Sequence, residues 1–319
     1  MKKTIIPFII IALLFSCNKE EQNDTKEGFK QKQVARNKII QASEINLKIK
    51  KQENILYKDV TIIGDINFLI SEDNNLTTPF LETNYINSSV LFHNCTFKGK
   101  VVAQKIESDI IKTCHFNKNT TFINCTFQDT VNFSYTDFYG LVNFSESTFQ
   151  EFVNFESSSL NYKKNYFRKS RFEKPLKFNM INIFGDIDFF ESIFDNKVIF
   201  QLSKFYNKTN FSSTKFYDKA DFTNTKFKDD VFFNYAEFYK TISFNNSIFR
   251  ERTEFASAKF NFISEFKNCI FSGKTKFENS EIIGVFYFTN SIFYITNPNT
   301  LKINIKDGSN FVLKEVKYL

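Results

Sequence analysis

The sequence predicts an all-β solenoid wound turn by turn, and two registers carry that prediction. Phenylalanine recurs at alternating steps of five and six residues. The series runs through Phe116, Phe122, Phe127, Phe133, Phe138, Phe144, Phe149 and Phe155, slips near Leu160, and resumes from Phe167 to Phe293 with Ile183 and Ile282 standing in. Such steps scatter around a 3.6-residue helix and do not fit the two-residue alternation of one long strand. A fixed short period is the mark of a repeat architecture. The second register lies two residues before each Phe. Before one Phe of each pair stands a small residue, as at Thr136, Ser147, Ser158, Ser192, Thr225, Ser247 and Ser291; before the other stands a small or β-branched one, as at Val131, Val142, Val153 and Val231. Strand geometry turns residues two apart to the same side, so each pair fills the interior.

Segments such as Phe222-Thr-Asn-Thr-Lys-Phe227 and Phe244-Asn-Asn-Ser-Ile-Phe249 give roughly residues 90 to 295 a specific resemblance to the pentapeptide-repeat family. The resemblance is to its phenylalanine-rich branch, in which every second repeat is one residue longer. It implies a right-handed quadrilateral parallel β-helix of about 22 residues per coil, with the large central residue and the small one both inside. The regular part, 111–295, then holds about eight coils about 4.8 Å apart, on the order of 40 Å of solenoid. Burying each Phe contributes about 1.5–3 kcal/mol, mostly offset by chain entropy. A single axial stack of rings is expected to take the place of a globular core.

Along the chain, residues 1–17 come first. Lys2 and Lys3, the apolar run from Ile5 to Phe15, and Leu13-Leu14-Phe15-Ser16-Cys17 resemble a bacterial lipoprotein signal peptide with its lipobox. That implies acylation of Cys17 and membrane attachment through the lipid. The run is too short for a comfortable span, and no other stretch approaches one. Asn18-Lys19-Glu20-Glu21-Gln22 resembles the export signal of Bacteroidetes surface lipoproteins, which implies anchorage in the outer membrane with surface exposure; a plain charged linker is the alternative. Residues 18–42 are polar and read as a flexible tether.

Residues 43–110 are expected to form an N-terminal cap and irregular first coils. Ile45, Leu47 and Ile49 alternate like a strand, and 34–42 fits a short helix. The stretch from Ile55 through Gly64 to Phe68 reads as the first coil and 70–90 as a loop. Residues 296–319 read as a C-terminal cap. There Leu301, Ile303 and Ile305 alternate before Asp307-Gly308, with Phe311 and Leu313 after it, as a strand pair or hairpin would.

An apolar fraction of 42% and an aromatic fraction of 18% exclude disorder for most of the chain. The formal charge of +7 falls to +5 if Lys2 and Lys3 leave with the signal peptide, and the signs are interspersed. This describes a mixed solvated surface rather than a nucleic-acid face. Gyrase-binding members of the family imitate DNA as acidic cytoplasmic rods; a basic chain with an export signal departs from them on both counts, so that role is not carried over. Rings committed to the interior cannot stack on bases either.

Four of the five cysteines, Cys95, Cys114, Cys125 and Cys269, occupy the small interior position, and no Cys-x-x-Cys occurs. They read as small hydrophobes rather than metal ligands or redox pairs. Cys114 and Cys125 fall on opposing faces half a coil apart. His93 and His115, beside Cys95 and Cys114, fall at outward positions of adjacent coils, on different sides of their Phe. No Walker loop, His-Glu-x-x-His or Gly-x-Ser-x-Gly is present. No catalytic residue, cofactor or metal is therefore expected.

Residues 22 apart stack outward as ladders: Lys215, Glu237, Lys259 and Glu281 alternate in sign, and Asn132 and Asn154 form a polar rung. Lys204 and Lys226 give way to Ile248, Ile270 and Ile292. This apolar stripe is either a partner-contact surface or ground covered by the C-terminal hairpin, the covering being favoured. Asp129-Thr130-Val131 is similar to the O-glycosylation triplet of Bacteroidetes envelope proteins, implying modification at Thr130. The expectation is a lipid-anchored, non-enzymatic structural or interaction module with a protein or glycan partner. The alternative is a glycan-binding or glycan-cleaving β-helix with its site in the irregular segment 65–112.

Overall fold

Each eleven residues of the repeat build two short strands and two corners, and one corner has a fixed form. Ser147 N donates to Phe144 O at 3.3 Å, closing a four-residue turn whose third residue, Glu146, has φ +61°. That is type II geometry. The same left-handed residue recurs at Ser157, Lys169, Met180, Glu191, Leu202, Ser213, Asn224 and on to Asn290, just before the interior position that is small in each of these coils except at Ile181. The other corner is turned by Gly140 or Gly185, among others. A Cβ at Gly185 would overlap the carbonyl oxygen of Tyr162 in the preceding coil.

The computed structural model describes residues 38–70, 74–78 and 80–319. The signal segment 1–17 with Cys17, and the expected tether as far as residue 37, lie outside the described residues. Repeated cornering winds the described chain into a four-sided parallel β-solenoid. Face one runs from Ile55–Lys58 to Thr275–Lys276, face two from Lys38–Gln41 to Ile303–Ile305, and face three from Ile66–Asn67 to Asn310–Lys314. Face four runs from Asn74–Thr78 to Lys317–Tyr318. Among the described residues face two holds twelve strands, so its ends are about 50 Å apart.

Parallel register is 22 residues, as in Val131 with Val153 and Phe172 with Phe194. It lengthens to 23 where the slip near Leu160 falls, pairing Phe149 with Phe172 and Leu160 with Ile183. One inserted residue is taken up at the corner between faces four and one, and register recovers at once.

The rings form four columns, one per face, instead of the expected single axial stack. Face one carries Phe92, Phe122, Phe144, Phe167, Phe189, Phe211, Phe233, Phe255 and Phe277, with successive centroids 4.7–5.4 Å apart and planes within 21°. Across the lumen the rings meet edge-on, as Phe222 does Phe233 at 89°. In-register coils set like rings at stacking distance, and the facing walls are left the T-shaped contact that aromatic quadrupoles also favour.

The small interior positions do more than save space. Ser158 Oγ donates to Phe133 O at 2.7 Å, Ser203 Oγ to Phe178 O at 2.7 Å, and Thr225 Oγ1 to Phe200 O at 2.8 Å. Each hydroxyl therefore satisfies a buried carbonyl of the preceding coil.

Both ends correct the sequence expectation. Lys38–Gln41, placed in the tether and in a short helix, is a strand paired in parallel with Val60–Ile63. Ala42–Lys50, expected to be strand-like, is the helix. Ala42, Ile45 and Ile49 are buried at helical spacing, whereas Leu47 is exposed. The helix closes the first coil and is tied to it by Asn46, which donates to Asp65 O at 2.9 Å and accepts from Asn67 N at 3.0 Å.

The expected loop at 70–90 instead contains an antiparallel pair, Asn74–Thr78 with Leu81–Ile86. A second pair joins Lys105–Glu107 to the start of Ile110–Phe116. Both insertions leave the corner between faces three and four, so the first coils advance 35 residues (Ile55 to Val90) and 30 (Val90 to Thr120).

At the C-terminus, Ile303–Ile305, Asn310–Lys314 and Lys317–Tyr318 add in parallel to Ser280–Ile282, Val285–Thr289 and Ile292–Phe293. The strands close the solenoid as a further coil. Asp307-Gly308, with φ +79° at Gly308, turns the corner from face two to face three and does not reverse the chain. Nothing in this segment folds over the isoleucine stripe, so the favoured covering role is not met.

Candidate functional site

With the interior filled, chemistry is confined to outward columns, and face four shows the expected one. Lys204, Lys226, Ile248, Ile270, Ile292 and Lys317 are successive register partners. Ile248 and Ile270 line a depression of about 430 Å³ with Arg250, Ser272 and Tyr294. Ile292 borders a neighbouring one of about 300 Å³ with Asn290, Glu315 and Lys317. On face two, Lys215, Glu237, Lys259 and Glu281 stack in order; Lys215 reaches Glu237 at 3.6 Å, while Glu281 pairs with Lys306 at 3.2 Å.

The histidines and cysteines are dispersed. His93 stands on face one and His115 on face four. His115 Nε2 lies 2.8 Å from Asp137 Oδ2, between Tyr85 and Tyr139. Burial works to raise the Asp137 carboxyl, but hydrogen bonds from His115 and Ser159 outweigh it and hold it below its usual range. Cys114 and Cys269 are fully buried, and burial pushes the Cys114 thiol well up and that of Cys269 to about 12. Cys95 and Cys125 stack in one column, since Thr96 pairs with Thr126. The sequence pointed only to the more distant Cys114. Contact with Cys95, and then burial, raises Cys125.

Among the described residues of the segment 65–112, Glu82 and Glu107 are taken up in ion pairs. Lys112 lies 3.4 Å from Glu82 and 3.1 Å from Glu107, and Lys105 lies 3.3 Å from Glu107. Thr130, half-buried, sits at the corner leading into face three, where its N–H donates to Asp129 Oδ1 at 2.6 Å. Among the described residues no group of three or more His, Cys, Asp or Glu could hold a metal ion. No helix there is long and apolar enough to cross a membrane.

Sequence reasoning missed a depression on face one. Tyr166, Asp188, Asn210 and Phe232 are successive register partners. Two aromatic residues thus bracket two short polar ones, and the space between, about 550 Å³, is lined also by Lys164, Arg168, Asp186, Lys208 and Ser212. Its floor is organised. Arg168 Nε lies 3.3 Å from Asp188 Oδ2, Asn210 Nδ2 donates to Asp188 Oδ1 at 3.0 Å, and Ser212 N donates to Asn210 Oδ1 at 2.9 Å. Reading outward residues at the 22-residue spacing, as for the isoleucines, would have found it.

Residues 111–159 and 211–259 match the family described as pentapeptide repeats, in nine copies. No curated protein and no solved structure matches the chain.

Proposed function

We propose that this pentapeptide-repeat β-solenoid is a non-enzymatic interaction module, anchored through lipid on Cys17 to a bacterial outer membrane and displayed on its outer face. The observation that carries the interaction reading is the column of half-buried Ile248, Ile270 and Ile292, held in line by parallel register and bordering two surface depressions. An apolar stripe on a rigid wall is the kind of surface that partners use. The lumen is occupied by stacked rings and by hydroxyls already bonded between coils. His93 and His115 stand on different faces, and both facts support a binding rather than a catalytic role.

The lipobox ending in Cys17 supports the anchorage, and Asn18 to Gln22 supports display at the surface. Glycosylation at Thr130 belongs to the same reading.

Treating intact cells with an impermeant protease, beside a periplasmic control, tests it. Digestion of the wild type in intact cells is expected, as is release of Cys17→Ala from the membrane fraction. A wild-type protein that is fully soluble, or protected until the outer membrane is opened, would overturn the placement.

A further inference from the structure

We propose that the face-one depression between Tyr166 and Phe232 binds a short anionic oligosaccharide, one carrying uronate carboxylates. The proposal rests on reading the chain as an interaction module and adds to it a site and a ligand class. Four features of the site lead there.

The first is shape. Tyr166 and Phe232 are three coils apart, about 14 Å along the face, and the two coils between them present only Asp188 and Asn210 in that column. Two linked pyranose rings laid along the solenoid axis would fit between the aromatic walls, and a volume of about 550 Å³ lies within the range of small-ligand sites.

The second is the walls. Arg252 lies 5.0 Å from the Phe232 ring and pairs with Asp230 at 2.8 Å from the following coil, on the side away from the depression. The ring is braced from behind, which leaves its other side to a ligand. The apolar face of a sugar ring packs on such a surface.

The third is the floor. The Asp188 carboxylate accepts from Phe190 N at 2.9 Å and from Asn210 Nδ2, and is held by Arg168. Arg168 in turn lies over the Phe190 ring at 5.3 Å. A fixed carboxylate beside a fixed amide offers acceptors and donors to adjacent sugar hydroxyls at little ordering cost.

The fourth is charge. Lys164 and Lys208 border the depression without an ion pair within 4 Å among the described residues, and Asp186 stands between them in the register. Further along the same face such charges are matched, as in Lys276 with Glu254 at 2.9 Å. Three cations against two carboxylates leave one positive charge, carried by the two free ammonium groups, which favours an acidic sugar over a neutral one.

The test is calorimetric titration of the full-length mature protein with trigalacturonate and, in parallel, with maltotriose. Saturable one-to-one binding of trigalacturonate is expected, with maltotriose weaker. Phe232→Ala should weaken it about tenfold, the upper end of what one ring contact is worth. Asn210→Tyr, which fills the gap with a residue this column already carries at position 166, and the double variant Lys164→Glu/Lys208→Glu should remove binding with far-ultraviolet circular dichroism unchanged. Absence of binding at millimolar trigalacturonate, equal affinity for maltotriose, or indifference to the Asn210 and lysine variants each overturns the proposal. Protease accessibility on intact cells is read separately: a displayed protein that does not bind sugar loses this site alone, whereas a protected one that binds loses the surface placement and keeps the site.

Discussion

Ser247 Oγ donates to Phe222 O in the preceding coil at 2.6 Å and accepts from Thr225 N at 3.1 Å, so one hydroxyl bridges two buried backbone groups that already meet across a turn at 3.2 Å. Cys269 repeats the first contact one coil on, with its sulfur 3.0 Å from Phe244 O.

Ser247→Ala is therefore expected to destabilise the protein by about 0.5–1.5 kcal/mol, the net worth of an ordinary hydrogen bond, since Thr225 N still donates to Phe222 O at 3.2 Å. Ala236 and Ala258 occupy the equivalent place on face two, so the coil geometry should survive. Chemical denaturation monitored by circular dichroism would show a lower midpoint with an unchanged spectrum. An unshifted midpoint would mean that the Ser247 hydroxyl contributes nothing net.

Leu202 has φ +60° and is 53% exposed, an apolar β-carbon in a turn position that costs about 1–2 kcal/mol for ordinary residues. Asn224, Asn246, Asn268 and Asn290 show what suits the site. Leu202→Asn should stabilise the protein by about 0.5–1 kcal/mol, read as a higher denaturation midpoint, and Leu202→Val, branched at Cβ, should lower it. The opposite order would refute the turn assignment.

The depressed Asp137 carboxyl makes face four sensitive to acid. A group with a lowered folded pKa contributes stability that is fully present above its unfolded value and is lost as pH falls through the folded one. Asp137→Asn should lower the thermal midpoint near neutral pH and flatten its decline between about pH 5 and 2. Parallel curves for variant and wild type would show that His115 and Ser159 contribute nothing through this carboxylate.

Burial and raised thiol pKa together should keep Cys114 and Cys269 from reacting. Maleimide at neutral pH is expected to label neither in the native protein and both after denaturation, read by peptide mass. Rapid native labelling of Cys269 would mean that the coils around it open.

Much of this fold is legible in the sequence because every coil must fill the same lumen, so the interior repeats. The pitch from Phe116 to Phe293, the hydroxyls two residues before alternate rings, the slip near Leu160 and the alignment of Ile248, Ile270 and Ile292 all follow from that constraint. The ends face different boundary conditions and do not repeat. Ile45 and Ile49 fit strand alternation and a helical face equally well, and what decides between them is the open coil that they cover. Gly308 permits a reversal as readily as a corner; the strand edge waiting at Val285–Thr289 selects the corner. The face-one depression escaped because outward residues answer to no common lumen, and Tyr166, Asp188, Asn210 and Phe232 share only their spacing.

Thirteen surplus residues enter between faces three and four in the first coil advance (35 against 22), and eight in the next (30 against 22), while Val101 still meets Val131 and Phe116 still meets Phe138. Chain length at that corner is thus uncoupled from the pitch of the walls. Foreign peptide spliced there would be carried outward as cargo, and the same corner is where lineages of such a chain are free to diverge in length without refolding the barrel they hang from.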